Sequence, residues 1–173
     1  MKTIALSSVF TSLAVVGRVM LVLIPNVSPT VPLTILGGFL GGPMAGLLIG
    51  FLSMFISDMF IGVGPHTLVT APMMGVVGLL SGLLIRRIGD KLLIFITAFL
   101  LTLLYDLSTS ILTMGMFGVP PYIAVINLFL PVFLGGIPYP MGPVHEFSSA
   151  FILVSLHEVI SSYSLWSVLR YER

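Results

Sequence analysis

The chain of 173 residues is 57% hydrophobic and only 8% charged, with a net charge of +1 and no cysteine. A soluble domain carries about 25% charged residues, so this composition predicts an integral membrane protein. A spanning helix needs roughly 20 apolar residues, which allows about six or seven crossings and leaves no room for a soluble module. The charge balance excludes a basic surface for nucleic acid, and the lack of cysteine excludes disulfides and thiolate metal sites.

Prolines, glycines and the rare charges divide the chain into apolar stretches, because these residues resist continuing a helix in lipid. The stretches cover residues 3–24, 31–61, 66–85, 92–117, 119–137 and 147–169. We expect the first to be a retained helix, since it is longer than a signal-peptide core and has no cleavage site.

The basic residues test how many stretches cross the membrane. Lys2, the Arg86–Lys91 cluster and the C-terminal Arg170 and Arg173 are expected on the cytoplasmic side, so an even number of crossings must separate them. Stretch 31–61 is too long for one span and is broken at Gly41-Gly42-Pro43. It therefore predicts a short helix from about Pro32 to Gly41 and a full helix from Pro43 to Ile61.

Stretch 119–137 is interrupted by Pro131 and by Gly135-Gly136, so we expect an interfacial or re-entrant element over the outer face. The predicted fold class is an all-α, polytopic membrane protein with six transmembrane helices, a short second helix and a partly helical outer loop before the last helix. We expect residues 1–173 to form a single transmembrane domain in the cell membrane. Both termini are expected to be cytoplasmic, with outer loops at 25–31, 62–65 and 118–142.

Ionisable side chains inside the membrane are costly, and each is therefore a functional candidate. They are Arg18, Asp58, Asp106, His145, Glu146, His157 and Glu158, with His66 at a helix start. Structural alternatives stay open for several. Arg18 can reach the outer headgroups, Asp58 can pair with Arg18 or His66, and Asp106 is either a ligand contact or a helix–helix hydrogen bond. His157 and Glu158 can form a polar contact between helices.

No complete catalytic or metal motif accompanies these residues, so we predict that the chain is not an enzyme. Asp58 and Asp106 lack the Gly-x-Gly-Asp setting of intramembrane aspartyl proteases, and Ser81 lacks the rhomboid spacing. His145 and His157, twelve residues apart on one helix, are separated by about 18 Å and cannot share a metal. There is no P-loop for ATP, and no cofactor is expected.

Small residues at intervals of four indicate close helix packing. They are Gly38, Gly42, Gly46 and Gly50, then Ala71 with Gly75, and Gly78 with Gly82. The first helix carries Ser7 with Thr11 and Ser8 with Ser12, a smooth face that either docks another membrane subunit or packs within the bundle.

The run from Ser57 to Thr67, with Met73, resembles the substrate-binding (S) subunits of energy-coupling factor (ECF) vitamin transporters, closest to the cobalamin-type branch. That branch typically has Ser-Asn-Phe-Phe-Phe-Gly-x-Gly-Pro-Trp-Thr, from which Asp58 and His66 depart. Further matches are Gly17-Arg18, Ile24-Pro25-Asn26 with Pro29, Gly42-Pro43-x-Ala45-Gly46, and His145-x-x-Ser148-Ser149-Ala150-x-Ile152. The similarity covers most of the chain and is weakest over 118–142.

The resemblance implies a substrate-capture subunit for ATP-driven vitamin or micronutrient uptake, with no catalysis of its own. Its partners would be a small vitamin-like ligand, a transmembrane coupling subunit that meets helix one at Ser8 and Ser12, and two cytoplasmic ATPase subunits. The ligand stays open between cobalamin and a smaller vitamin or nucleobase-like compound. The predicted ligand contacts are Asn26, Phe60, His66, Thr67, Met73, Tyr105, Asp106, His145, Glu146 and Ser149. The alternative is a stand-alone proton-coupled secondary transporter that uses Asp58 and Asp106.

Overall fold

The computed structural model describes residues 2–84, 90–134, 137–139 and 141–162, and these form seven helices and one small sheet. The elements are α1 (Lys2–Met20), α2 (Thr30–Gly41), α3 (Pro43–Ile61), α4 (Thr67–Leu84), α5 (Lys91–Gly115), α6 (Pro121–Phe129), β1 (Val132–Leu134), β2 (Ile137–Tyr139) and α7 (Met141–Ser162). The basic residues Arg86, Arg87, Arg170 and Arg173, on which the orientation prediction depends, lie outside the described ranges.

Four of the described helices, α1, α3, α4 and α5, are long and apolar enough to cross a membrane. A helical membrane protein is therefore confirmed, whereas the count of six crossings stays a prediction. The short helix α2 has the most enclosed position, with ten of its twelve residues buried. A helix that is apolar on all sides needs such surroundings, and α2 packs against α1, α3, α4 and α7.

The predicted break between the second and third helices is confirmed. Gly42 has a φ of 85°, which a residue with a side chain rarely adopts, and it separates α2 from α3. Pro43 follows at the first turn of α3, where its missing N–H has no intrahelical partner to lose.

Glycines allow α3 and α4 to pack backbone against backbone. A Cβ atom added at Gly46 would collide with the carbonyl oxygen of Gly78, and one added at Gly78 would collide with the carbonyl oxygen of Gly46. The predicted role of the small residues in bundle packing is therefore confirmed at this crossing.

The segment before the last helix is partly helical, as predicted, and it adds a small sheet that the all-α fold class did not include. It contains α6, which packs on α5 and α7, and an antiparallel hairpin in which Val132 pairs with Tyr139. Gly135 and Gly136 lie outside the described residues. At nine residues, α6 extends only about 13 Å and is too short to cross a bilayer.

Two helix ends differ from the predicted ones by four residues or more. The first helix ends at Met20 and is followed by turns, four residues earlier than expected. The last helix begins at Met141, six residues before the predicted apolar stretch, because Pro143 lies in its first turn, where proline is tolerated. His145 and Glu146 are consequently helical.

Candidate ligand-binding site

A cavity of about 390 Å³ lies at the end of the bundle where the 21–29 loop joins α1 to α2. Residues of this loop and of α1, α2, α3, α4, α5 and α7 form its wall. The lining residues are Arg18, Leu21, Val22, Ile24, Pro25, Asn26, Val27, Ser28, Thr30, Val31, Met54, Ile61, Thr70, Met74, Tyr105, Asp106, Met141 and His145. A mainly apolar wall with a few converging polar groups is typical of a small-molecule site.

Arg18 reaches the cavity from the end of α1 and is held there by α3. Its Nη1 atom donates to Asp58 Oδ1 at 2.6 Å and also to the hydroxyl of Ser57. The other carboxylate oxygen of Asp58 accepts a hydrogen bond of 2.7 Å from Thr67 at the start of α4, and His66 Nε2 lies 3.7 Å away. Asp58 is 1% exposed, so the structure favours the ion pair with Arg18 among the roles considered for both residues.

A second polar group joins α5 to α7. His145 Nδ1 lies 2.9 and 2.8 Å from the two carboxylate oxygens of Asp106. The rings of Tyr105 and His145 meet edge to face, with centroids 6.3 Å apart. This corner of the wall combines an aromatic ring with hydrogen-bonding groups. Asp106 thus serves as a helix–helix contact and also faces the cavity.

The 21–29 loop is attached to the start of α7. Asn26 Nδ2 donates to the carbonyl oxygen of Met141 at 2.7 Å, and Ser148 Oγ donates to the carbonyl oxygen of Asn26 at 3.3 Å. Asn26 has a φ of 55°, a left-handed conformation that asparagine tolerates better than most residues. These contacts hold the loop across the cavity.

Four of the ten predicted ligand contacts line the cavity, namely Asn26, Tyr105, Asp106 and His145. The others do not. Phe60 is 71% exposed near the end of α3, and Met73 packs against the hydrophobic core. His66 and Thr67 surround Asp58 behind the wall, and the roles of all ten in binding stay predictions.

Glu146 and Ser149 lie on the buried face of α7 and do not line the cavity. Neither Glu146 Oε1 nor Ser149 Oγ has a hydrogen-bond partner among the described residues. Both are therefore interior polar groups beside the His145–Asp106 pair.

Most of the apolar wall was not predicted. Val31, Met54 and Met74 are buried residues of apolar helices, and their sequence signal is the same as that of core residues. Arg18 was noted as an intramembrane charge but not as a ligand contact. The sequence signal that indicates this role is Asp58, a carboxylate on the third helix at the same depth in the membrane.

Ser8 and Ser12, the predicted contacts for a partner subunit, are exposed on α1. Each hydroxyl donates to the backbone carbonyl four residues earlier, at 2.9 Å. The exposed face therefore needs no further hydrogen bond there and is free to pack closely.

At the opposite end of the bundle Lys91 Nζ donates to Glu158 Oε1 at 2.7 Å and links α5 to α7. Glu158 thus makes an interhelical polar contact, one of the roles predicted for it. Within the described ranges no group of three or more histidine, aspartate or glutamate side chains is arranged to hold a metal ion.

The family model of the ECF-type riboflavin transporter, S component, matches residues 1–143. Comparisons with curated proteins and with solved structures give no match. The resemblance to the cobalamin-type branch is not confirmed, whereas the resemblance to ECF S components is. Because the match covers well over half of the sequence, the chain belongs to the family of ECF-type riboflavin transporter S components.

Proposed function

We propose that this chain captures a riboflavin-like vitamin in the cavity, on the outer side of the cell membrane, and delivers it to a separate coupling subunit driven by two ATPases. Family membership supports the role of a vitamin-binding subunit. The observation that carries the proposal is the cavity itself, since it is walled by six helices and a loop and combines Tyr105 with the polar groups of Arg18, Asp106 and His145.

The size of the cavity favours a small vitamin over cobalamin. Its volume of about 390 Å³ is near the lower end of the range of roughly 300–1,000 Å³ that small-molecule sites occupy. A three-ring heterocycle with a short polyol chain suits such a volume, whereas a corrin ring with its nucleotide loop is far larger. Tyr105 offers an aromatic edge for the rings, and the hydrogen-bonding groups suit the polar substituents.

For the topology we propose six crossings, with both termini cytoplasmic. Five are made by α1, α3, α4, α5 and α7. The sixth is made by α2 together with the 21–29 loop, because α2 alone covers only about 18 Å and is enclosed by other helices. At 22 residues α7 is long enough, at about 33 Å, to cross the bilayer. Residues Ser8 and Ser12 of α1 would meet the coupling subunit. Their intrahelical hydrogen bonds support this role, because they leave a small surface without unpaired polar groups.

The test is reconstitution. Proteoliposomes that contain the chain alone should bind riboflavin without accumulating it, either with or without a proton gradient. Adding the coupling subunit and ATPases should give uptake that requires ATP. Accumulation by the chain alone under a proton gradient would instead establish the rival secondary transporter that uses Asp58 and Asp106.

A further inference from the structure

The charges around the cavity suit an uncharged ligand. Among the described lining residues Arg18 is the one lysine or arginine, and Asp106 is the one carboxylate. The positive charge of Arg18 is already matched by Asp58, which lies directly behind it at 2.6 Å. One fixed cation therefore faces two carboxylates.

The histidine in the wall does not reverse this balance. A neutral His145 leaves the charge of Asp106 in place, and a protonated His145 cancels it across their contact of 2.8 Å. Glu146 follows His145 in the sequence and is buried. Its carboxyl group is either negative or neutral, so it adds no positive charge. Neither state of His145 leaves surplus positive charge on the wall.

Part of the hydrogen-bonding capacity of Arg18 is already used on α3. Its Nη1 atom donates to Asp58 and Ser57 and approaches the carbonyl oxygen of Met54 at 3.5 Å. A phosphate monoester carries a charge of about −1.5 to −2 near neutral pH and needs several strong donors or cations. A phosphate in this cavity would have to compete with Asp58 for Arg18 while lying near Asp106.

We infer that the cavity selects an uncharged vitamin and rejects its phosphorylated form, with Asp106 as the specificity-determining residue. The inference rests on the proposed function, since it concerns the ligand of the same cavity. It names the substrate class as a neutral heteroaromatic vitamin with hydrogen-bonding substituents. A phosphate is excluded because Asp106 repels it and because the cavity does not replace its lost hydration. Like charges at short range lower the affinity several-fold to several-hundred-fold.

The experiment measures the affinities of riboflavin and flavin mononucleotide for the purified full chain at pH 7.5. Wild-type protein should bind riboflavin at least about 30-fold more tightly than its phosphate. Asp106→Asn keeps the size of the side chain and removes its charge, so it should reduce this ratio at least about fivefold. Glu158→Gln makes the same change of charge on the exposed surface and should leave the ratio unchanged. Melting temperatures check that all variants are folded.

Equal binding of the two flavins by wild-type protein would overturn the inference, and so would an unchanged ratio in folded Asp106→Asn. If neither flavin binds, the flavin assignment fails separately, and the same comparison is made with pyridoxine against pyridoxine phosphate. Preference for unphosphorylated pyridoxine would support the selection of an uncharged vitamin. Tight binding of either phosphate, or binding of none of the four compounds, would overturn it.

Discussion

Arg18 and Asp58 lie 40 positions apart in the sequence and join the end of α1 to the end of α3 through a contact of 2.6 Å at the cavity wall. Asp58 is 1% exposed and Arg18 is 21% exposed. Thr67 completes the group from α4 by donating to the second oxygen of Asp58. The pair therefore has a structural role in three helices and also places a cation at the cavity wall.

Removing Arg18 should destabilise the protein because Asp58 would remain as a buried carboxylate without its cation. For Arg18→Met we expect a loss of about 3–5 kcal/mol in the free energy of unfolding. The double variant Arg18→Met/Asp58→Leu removes both charges and should recover more than half of that loss. Thermal unfolding in detergent gives the order of stability of wild-type protein and the variants. Additive effects of the two substitutions would show that the ion pair does not couple the helices.

The α3–α4 crossing should not tolerate a side chain. Gly46→Ala places a methyl group against the backbone of Gly78, so the helices must separate, and we expect a loss of about 1–3 kcal/mol. The control is Gly115→Ala in α5, where no neighbouring atom lies within 4 Å. That change should be neutral or stabilising by up to about 1 kcal/mol. Equal melting temperatures for the two variants would contradict the close packing.

Bulky residues on the serine face of α1 should separate binding from transport. Ser8→Leu/Ser12→Leu is expected to leave riboflavin affinity within about threefold and to reduce ATP-dependent uptake at least tenfold, because small residues allow membrane helices to approach closely. Ser155→Leu is the matched control, since Ser155 is exposed on α7 and its hydroxyl also donates to the carbonyl four residues earlier. Loss of binding and uptake together would exclude a docking role for this face.

The 21–29 loop should control the rate of ligand release. Asn26→Ala removes the hydrogen bond to the carbonyl oxygen of Met141 and disfavours the positive φ at this position. We expect riboflavin to dissociate about tenfold faster, with a smaller change in its association rate. Stopped-flow measurement of flavin fluorescence gives both rates. An unchanged dissociation rate would show that the loop does not retain the ligand.

Features that depend on local residues were predicted well from the sequence. Gly42 and Pro43 mark the α2–α3 break because one adopts a positive φ and the other begins a helix, whatever surrounds them. The apolar pattern predicts the last helix six residues too late, because prolines are counted there as breaks although the first turn of a helix accepts Pro143. The short hairpin of β1 and β2 was not predicted from a proline- and glycine-rich segment.

The cavity could be predicted only in part. Asn26, Tyr105, Asp106 and His145 stand out because polar groups are rare in an apolar chain, and they do line it. Met54 and Met74 cannot be distinguished from core residues by sequence, since a cavity forms where packing between distant helices is incomplete. Thr67, a predicted ligand contact, donates a hydrogen bond to Asp58 and does not line the cavity, and its role in binding stays a prediction.

The most direct test of the central claim is a titration of the purified chain with riboflavin, followed by quenching of flavin fluorescence. Wild-type protein should bind one equivalent, and Leu21→Trp should weaken binding at least tenfold because this side chain lines the cavity. Leu23→Trp, on the same loop but 90% exposed and absent from the wall, should bind as wild type does. Equal affinities of the two folded tryptophan variants, or no saturable binding by wild-type protein, would contradict the account.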